Sequence, residues 1–166
     1  PMDVVKTMAD MGFLGLKIPE EYGGLGLDMR SYVCVMEEIA KKCATATLFI
    51  SSANSLSTAP IVISGTPEQK EKWLRPLIEP KEGAKIGAFG LTEPNAGTDS
   101  AAQQTMAVKQ EDGSYIMNGS KVFITGGGIA DTYVIFAVTD KSKGNHGISA
   151  FIVDKDDPGF KIGKIE

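Results

Sequence analysis

A chain of 166 residues, 42% of them hydrophobic, is long enough to bury a core as one domain or two small ones. Its 17 basic and 21 acidic side chains leave a formal charge of −4, a mildly acidic surface without the basic field that draws proteins to nucleic acid or anionic lipid. The two cysteines, Cys34 and Cys43, both fall in a helix-like pattern, which points to neither a disulfide framework nor a metal knuckle and fits a reducing cytoplasm.

The first ten residues lack the basic region and apolar run of a targeting segment. The chain opens inside a helical pattern without an initiating methionine, so a boundary within a longer protein is expected. From Asp3 to Met11, Val4, Val5 and Met8 share one face of a short amphipathic helix, with Asp3 placed to cap its start and Gly12 its end. A glycine-rich loop follows, Glu21-Tyr22-Gly23-Gly24-Leu25-Gly26-Leu27. Asp28 then caps a helix whose apolar positions are Met29, Tyr32, Val33, Met36, Ile39, Ala40 and Cys43. On its other face Glu37 and Lys41, and Glu38 and Lys42, stand at the favourable four-residue interval, worth about 0.3 kcal/mol each.

Ala44 to Ser64 carries no charge and is long enough to cross a bilayer. Ser51, Ser52, Asn54, Ser55, Ser57 and Thr58 would then sit in hydrocarbon, and Pro60 interrupts the run. A helix buried inside protein costs less, and no membrane insertion is expected. Thr66-Pro67-Glu68-Gln69 is a capping box with proline at the first helical position, and Pro76 is expected to end the helix it opens. Trp73, Met8, Met29 and Met36 fall at core spacing and read as packing.

The pattern changes near Gly83. Ala84 to Leu91 is short and apolar; Thr105 to Lys109 and Tyr115 to Asn118 flank a Glu111-Asp112-Gly113-Ser114 turn; Tyr133 to Thr139 is β-branched and aromatic. Gly147 to Val153 and Phe160 to Ile165 continue the strand series around an Asp157-Pro158-Gly159 turn. A helical block followed by a β block, without alternation or repeat, indicates an α+β chain: a helical domain over residues 1–82, then an antiparallel, barrel- or sandwich-like β domain over residues 83–166.

Two strings could carry chemistry. Gly90 to Ser100 leaves an apolar strand for a loop of small and hydroxyl residues, where Gly97 lets the main chain approach a bulky ligand and Thr98 and Ser100 could donate to a phosphate. A plain polar connection between strands has the same composition. The lysine–serine pair and following helix of a P-loop are absent, and there is no dinucleotide fingerprint. The second string runs from Asn118 to Gly128 as a turn, an alternating strand and three glycines, placing Phe123 and Thr125 on one face and Val122 and Ile124 on the other. An aromatic ring two residues from a hydroxyl, beside bare backbone, suits a flat ring that needs stacking and one hydrogen bond; an edge strand ending in a glycine turn is the alternative. His146, the single histidine, reads as exposed in the loop Lys141 to Gly147.

Taken together, Leu-Thr-Glu-Pro-Asn-Ala-Gly-Thr-Asp-Ser and Asn-Gly-Ser-Lys-Val-Phe-Ile-Thr-Gly-Gly resemble, in order and spacing, the two flavin-contacting signatures of the acyl-CoA dehydrogenase family. The likeness extends to the Glu-Glu-Tyr-Gly-Gly-Leu-Gly loop, the Gly-Thr-Pro-Glu-Gln-Lys helix start and the closing Asp-Pro-Gly-Phe-Lys-Ile-Gly segment, and is nearest to the short-chain, butyryl-CoA group. It implies a partial N-terminal helical domain and the middle β domain, with the C-terminal helical domain and its glutamate base absent.

The resemblance further implies an FAD site made by Phe89, Leu91, Thr92, Gly97, Thr98, Phe123, Ile124 and Thr125. Thr92 would lie near the pyrimidine side of the flavin, Gly97 and Thr98 near the pyrophosphate, Phe123 against the isoalloxazine, and Thr125 with its hydroxyl toward N5. Thr98 and Asn145 would also meet the acyl-CoA substrate. Family members often carry tryptophan in place of Phe123, which keeps the aromatic face, and asparagine in place of Gly126, which bears on the local backbone. No catalytic residue and no metal ligand is expected within this chain. Glu93, the tempting local base, precedes Pro94 and more readily shapes the loop.

The implied activity is concerted α,β-dehydrogenation of a short-chain acyl-CoA to the trans-2-enoyl-CoA, with a carboxylate taking the α-proton and FAD the β-hydride. Such a site must polarise the thioester carbonyl and exclude water. Electrons would leave to an electron-transferring flavoprotein, from a homotetramer in the bacterial cytoplasm or, alternatively, the mitochondrial matrix. An acyl-CoA oxidase, a flavin monooxygenase or a non-catalytic binding module could use the same scaffold. The helix at Leu48 to Thr58 would line the far end of the acyl channel.

Overall fold

The computed structural model describes residues 2–78 and 85–165, so the expected domain boundary at residues 82–83, and Ala84, lie outside the described residues. The helical block holds α1 (Met2–Asp10), α2 (Met29–Ala40), α3 (Ala44–Ser51), a π-helical turn (Ser52–Ser57), α4 (Ala59–Ser64) and α5 (Pro67–Ile78). The strands are β1 (Gly87–Gly90), β2 (Met106–Lys109), β3 (Tyr115–Asn118), β4 (Thr132–Val138) and β5 (Ile148–Asp154).

All but one of the expected caps are present. Asp28 accepts from the backbone N–H of Ser31 at 2.8 Å, and Thr66 and Gln69 exchange hydrogen bonds at 2.9 and 3.3 Å. Gly12 takes the left-handed conformation, φ 79°, just past α1. Several details depart from the sequence reading. Helix α1 starts at Met2, so Asp3 lies in its first turn instead of capping it, and the buried face carries Val5 and Ala9 while Val4 is exposed. Lys41 pairs with Glu38 at 2.6 Å, three residues away. In α2 only Tyr32 is buried, with Met36 and Ile39 packed partly against it; Met29 and Val33 are exposed because nothing among the described residues covers that side. Helix α5 runs two residues past Pro76, because a proline near the end removes a single ladder bond while buried Leu74, Leu77 and Ile78 hold the last turn by packing.

The uncharged stretch Ala44–Ser64 forms one 21-residue helical run, long and apolar enough to cross a membrane. Its polar residues face inward, where Ser52, Asn54, Ser57 and Thr58 are buried against the rest of the protein, while Leu48 and Ile63 are exposed. The Asn54 amide donates to the carbonyls of Phe13 and Ile50 at 2.7 and 2.9 Å and accepts from the Lys17 N–H at 3.1 Å. Within the π turn, Ser55 Oγ and Thr58 Oγ1 donate to the carbonyls of Ser51 and Ala53, each at 2.6 Å, competing with the regular helical ladder.

The sheet centres on β4. Strand β5 pairs antiparallel along its whole length, from Thr132↔Asp154 to Val138↔Ile148, and β1 runs parallel on the other side from Gly87↔Thr132 to Gly90↔Ile135. Strand β2 continues that side at Met106↔Val138, again parallel, and β3 pairs antiparallel with β2. The α+β class holds, but the sheet is mixed, not wholly antiparallel. Phe160 to Ile165 forms no strand; Phe160 instead packs on Tyr133, ring centroids 4.5 Å apart. The blocks share their cores. Val5 of α1 joins Ile86, Tyr133 and Ile135, and Ile61 and Leu74 pack on Val134. Beta strand β1 lies so close to the π turn that a Cβ on Gly87 would meet Ser57 Cβ at 2.6 Å.

Candidate functional site

Beyond Gly90, the chain leaves the sheet as an irregular loop and returns at Thr105, whose carbonyl accepts from the Val138 N–H at 2.8 Å. Inside it, Glu93 and Ala96 exchange backbone hydrogen bonds at 3.0 and 3.1 Å, closing a tight turn over Pro94 and Asn95. Gly97, Thr98 and Asp99 follow as exposed residues, and a Cβ at Gly97 would meet nothing within 4 Å.

The second string, Lys121 to Thr125, is not the strand that its alternation suggested. Phe123 takes a positive φ of 56°, which breaks any ladder and turns its ring outward at 82% exposure. The expected facing survives: Phe123 and Thr125 are exposed, while Val122 and Ile124 are half-buried, Ile124 against the sheet core. Gly126, φ 70°, completes a turn in which the Gly127 N–H donates to Ile124 O at 2.9 Å. The phenol of Tyr133 reaches up from β4 and donates to Gly127 O at 2.8 Å and Ala130 O at 3.1 Å.

A buried ion pair joins the two strings. Lys121 Nζ lies 2.7 Å from Glu93 Oε1, with only 8% and 5% of the two side chains exposed. The same ammonium donates to Leu91 O and Gln103 Oε1, both at 3.1 Å, and the carboxylate accepts from the N–H groups of Gln104 at 2.6 Å and Thr105 at 3.0 Å. Burial alone would raise the Glu93 pKa; the Lys121 ammonium and the two backbone N–H groups outweigh it and hold the carboxyl at about 2. Ionised, turned inward and accepting from three donors, Glu93 is bound into the loop. Thr105 Oγ1, buried without a hydrogen-bond partner, lies against Gly119, where any Cβ would collide with it.

Residues 1–81 match the acyl-CoA dehydrogenase N-terminal domain, and residues 88–166 match the acyl-CoA dehydrogenase middle domain. The chain belongs to the acyl-CoA dehydrogenase family. It is 54% identical over its full length to a short-chain specific acyl-CoA dehydrogenase of Clostridium acetobutylicum, spanning 43% of that relative. Among solved structures it resembles butyryl-CoA dehydrogenase from Megasphaera elsdenii, with 51% identity and a TM-score of 0.90 over 99% of this chain and 43% of the other. A structure described as the electron transferring flavoprotein of Acidaminococcus fermentans contains a chain 54% identical, matched over all of this one and 43% of its own length at a TM-score of 0.93. The chain therefore spans less than half the length of these relatives.

In this acyl-CoA dehydrogenase chain the residues singled out by sequence separate into three groups. Leu91, Thr92, Gly97 and Thr98 lie on the first loop and Phe123, Ile124 and Thr125 on the second, brought together where the Val122 N–H donates to Thr92 O at 2.9 Å. Phe89 sits apart, half-buried in the sheet core with its ring 5.1 Å from Phe136. Asn145 and His146 are exposed in the one-turn segment after β4 and make no hydrogen bond to either loop. Lys121, Gln103 and Tyr133 escaped the sequence reading. The available signal was a lone charge, Lys121, in a string otherwise made of small and apolar residues.

Proposed function

We propose that the protein carrying this chain is an FAD-dependent dehydrogenase of short-chain acyl-CoA thioesters, yielding the trans-2-enoyl-CoA and passing electrons to an electron-transferring flavoprotein. One observation carries the reading: two strings far apart in sequence are pinned side by side while their aromatic and hydroxyl groups are left facing solvent. Among the described residues neither Thr98 nor Thr125 makes a hydrogen bond, through backbone N–H or through hydroxyl. Beside them Phe123 presents a bare ring. An apolar face flanked by unspent neutral donors fits the residues to a flavin, whose ring needs stacking and whose nitrogens, oxygens and phosphates need donors.

FAD, when bound, supplies the hydride acceptor. The chain's own residues hold and orient. Phe123 covers a ring face, Thr125 donates at the reacting edge, and Leu91, Thr92 and Ile124 supply backbone at its border. Gly97 and Thr98 offer open backbone and a hydroxyl to phosphate oxygens, and Phe89 supports β1 from the core. Thr98 and Asn145 are assigned to the thioester. The α-proton is not assigned to any residue of this chain, since the carboxylate of Glu93 is already committed to three donors. A homotetramer in the bacterial cytoplasm completes the proposal, of which the relatives bear only on the bacterial part.

The test is anaerobic mixing of the intact protein with butyryl-CoA. Loss of the oxidised flavin absorbance, with turnover sustained by an electron-transferring flavoprotein and not by oxygen, is the expected result. Stoichiometric peroxide at an equal rate would instead make it an oxidase, and an unreduced flavin would reject the assignment.

A further inference from the structure

We propose that the buried Glu93–Lys121 pair is a positioning device that fixes the spacing between the loop bearing Gly97 and Thr98 and the segment bearing Phe123 and Thr125. The functional part rests on the assignment of FAD to those loops, because one rigid ligand touching both must find them at a set distance. Neither region has regular structure to set that distance. Residues 91–99 and 119–125 form no strand ladder, and among the described residues a single backbone hydrogen bond, Val122 N–H to Thr92 O, runs between them.

The pair supplies what the backbone lacks. Its partners come from the start of the first loop at Leu91, from its end at Gln103, Gln104 and Thr105, and from a position two residues before Phe123. All three ammonium protons have acceptors, so the network is closed, and a closed polar network in a dry setting admits one arrangement. Gly90 makes room for it: a Cβ there would crowd the Lys121 stem at 3.4 Å and Ile135 Cδ1 at 2.5 Å. Stability alone does not call for such a pair, since well-packed apolar residues commonly stabilise as much as a buried ion pair. Directional hydrogen bonds holding two irregular loops in register are what apolar packing cannot replace. Glu93 and Lys121 touch neither reactant; they act through Thr98, Phe123 and Thr125.

The experiment uses the intact protein with Glu93→Gln, Lys121→Met and the milder Gln103→Leu, which removes one acceptor of the ammonium and the Gln103 Nε2 bond to Ser100 O without unpairing a charge. Four quantities are read: the FAD release rate, the visible circular dichroism of the bound flavin, the melting temperature, and amide hydrogen exchange of residues 94–100 and 122–127 against β4. Glu93→Gln and Lys121→Met should release FAD at least about tenfold faster and alter the visible dichroism, with Gln103→Leu about two- to fivefold faster, an altered dichroism and a smaller fall in melting temperature. A purely structural role would lower the melting temperature and leave the dichroism of the flavin still bound untouched. If the charge variants do not fold, Gln103→Leu decides, and parental release with parental dichroism overturns the proposal. Should the parent bind no FAD, the functional reading fails by itself. Exchange then tests the positioning separately: loops about tenfold less protected than the parent's, with β4 unchanged, uphold it, and equal protection refutes it.

Discussion

Strand β4 and the two loops beside it are ordered by opposite means. Strand β4 has a neighbour on each side and buries Val134 and Ala137 almost completely, so its position is over-determined by a ladder and by contacts from α4 and α5. The loops have one backbone bond between them and a single charged node. Order in the sheet is shared among many small terms, each replaceable; order in the loops is concentrated in a few hydrogen bonds around two side chains. A concentrated arrangement leaves the surrounding backbone N–H groups and side chains free to face a ligand, which a ladder would consume.

The largest effect should follow from breaking the node at one end. Lys121→Met leaves an ionised Glu93 in a dry site, and breaking a buried pair costs about 3–5 kcal/mol, read by urea unfolding of the intact protein. Acid should show the same pair from the other side. The folded Glu93 pKa is depressed from 4.5 to about 2, so its stabilisation is fully present above about pH 4.5 and is lost as pH falls from there toward 2. Parent and Glu93→Gln stabilities, compared from pH 6 to 3, should converge as the pH drops; curves that stay parallel would mean that Glu93 is not held ionised.

The sheet should absorb an apolar lesion of similar size without disturbing the loops. Leu74→Ala removes a fully buried side chain packed on Val134 and Ile61, with an expected loss of about 2–5 kcal/mol. Its FAD release rate should stay within about twofold of the parent's. A large change in release would show that the two regions are not separately ordered.

The same contrast decides what could be read from sequence. Helix caps are local chemistry: Asp28, and Thr66 with Gln69, act within four residues, so they were legible. Strand positions were legible too, because β-branched runs such as Tyr133 to Thr139 mark burial directly. The sheet's parallel pairings were not, since they depend on which distant edges meet, and neither was the unpaired course of Phe160 to Ile165. Of the site, the facing of Phe123 and Thr125 was legible from alternation, although the backbone that produces it is a left-handed Phe123 and not a strand. The Glu93–Lys121 contact bridges 28 positions and leaves no periodic trace.

Among the loop residues, Thr125→Val should have the next effect. Among the described residues its hydroxyl has no protein partner, so removal leaves the loop's own bonds intact and subtracts the one donor that the proposed function assigns to the reacting edge. A lost donor of this type costs about 1–3 kcal/mol, a slowing of flavin reduction by about ten- to a hundredfold, with substrate affinity changed less. Stopped-flow reduction under anaerobic conditions measures it, and an unchanged rate would remove Thr125 from the site.

The smallest effect per group concerns the place where the two regions meet. Thr125 rims a cavity of about 10 Å³ between β1 and the π turn, lined there by Phe49, Ser52, Ala53 and Ser57. Such a volume holds about one water. The π-turn hydroxyls of Ser55 and Ser57 are spent on its own backbone, Ser57 Oγ donating to Ser52 O at 3.2 Å, so the wall offers mostly apolar contact beside the hydroxyl of Ser52. The wall is also stiff: Gly87 already touches Ser57, and the π turn cannot move toward β1 to reshape the space. If an acyl chain enters from the Thr125 side, it meets Phe49 and the π turn within a few carbons. A methylene that is buried contributes about 0.8 kcal/mol, and one that cannot enter contributes nothing or clashes. Preference for about four carbons is therefore expected in kcat/KM across a series from butyryl- to palmitoyl-CoA. Phe49→Ala should shift the optimum toward longer chains by opening that wall. An optimum already at eight carbons or more in the parent would show that the chain runs elsewhere, with the family assignment untouched.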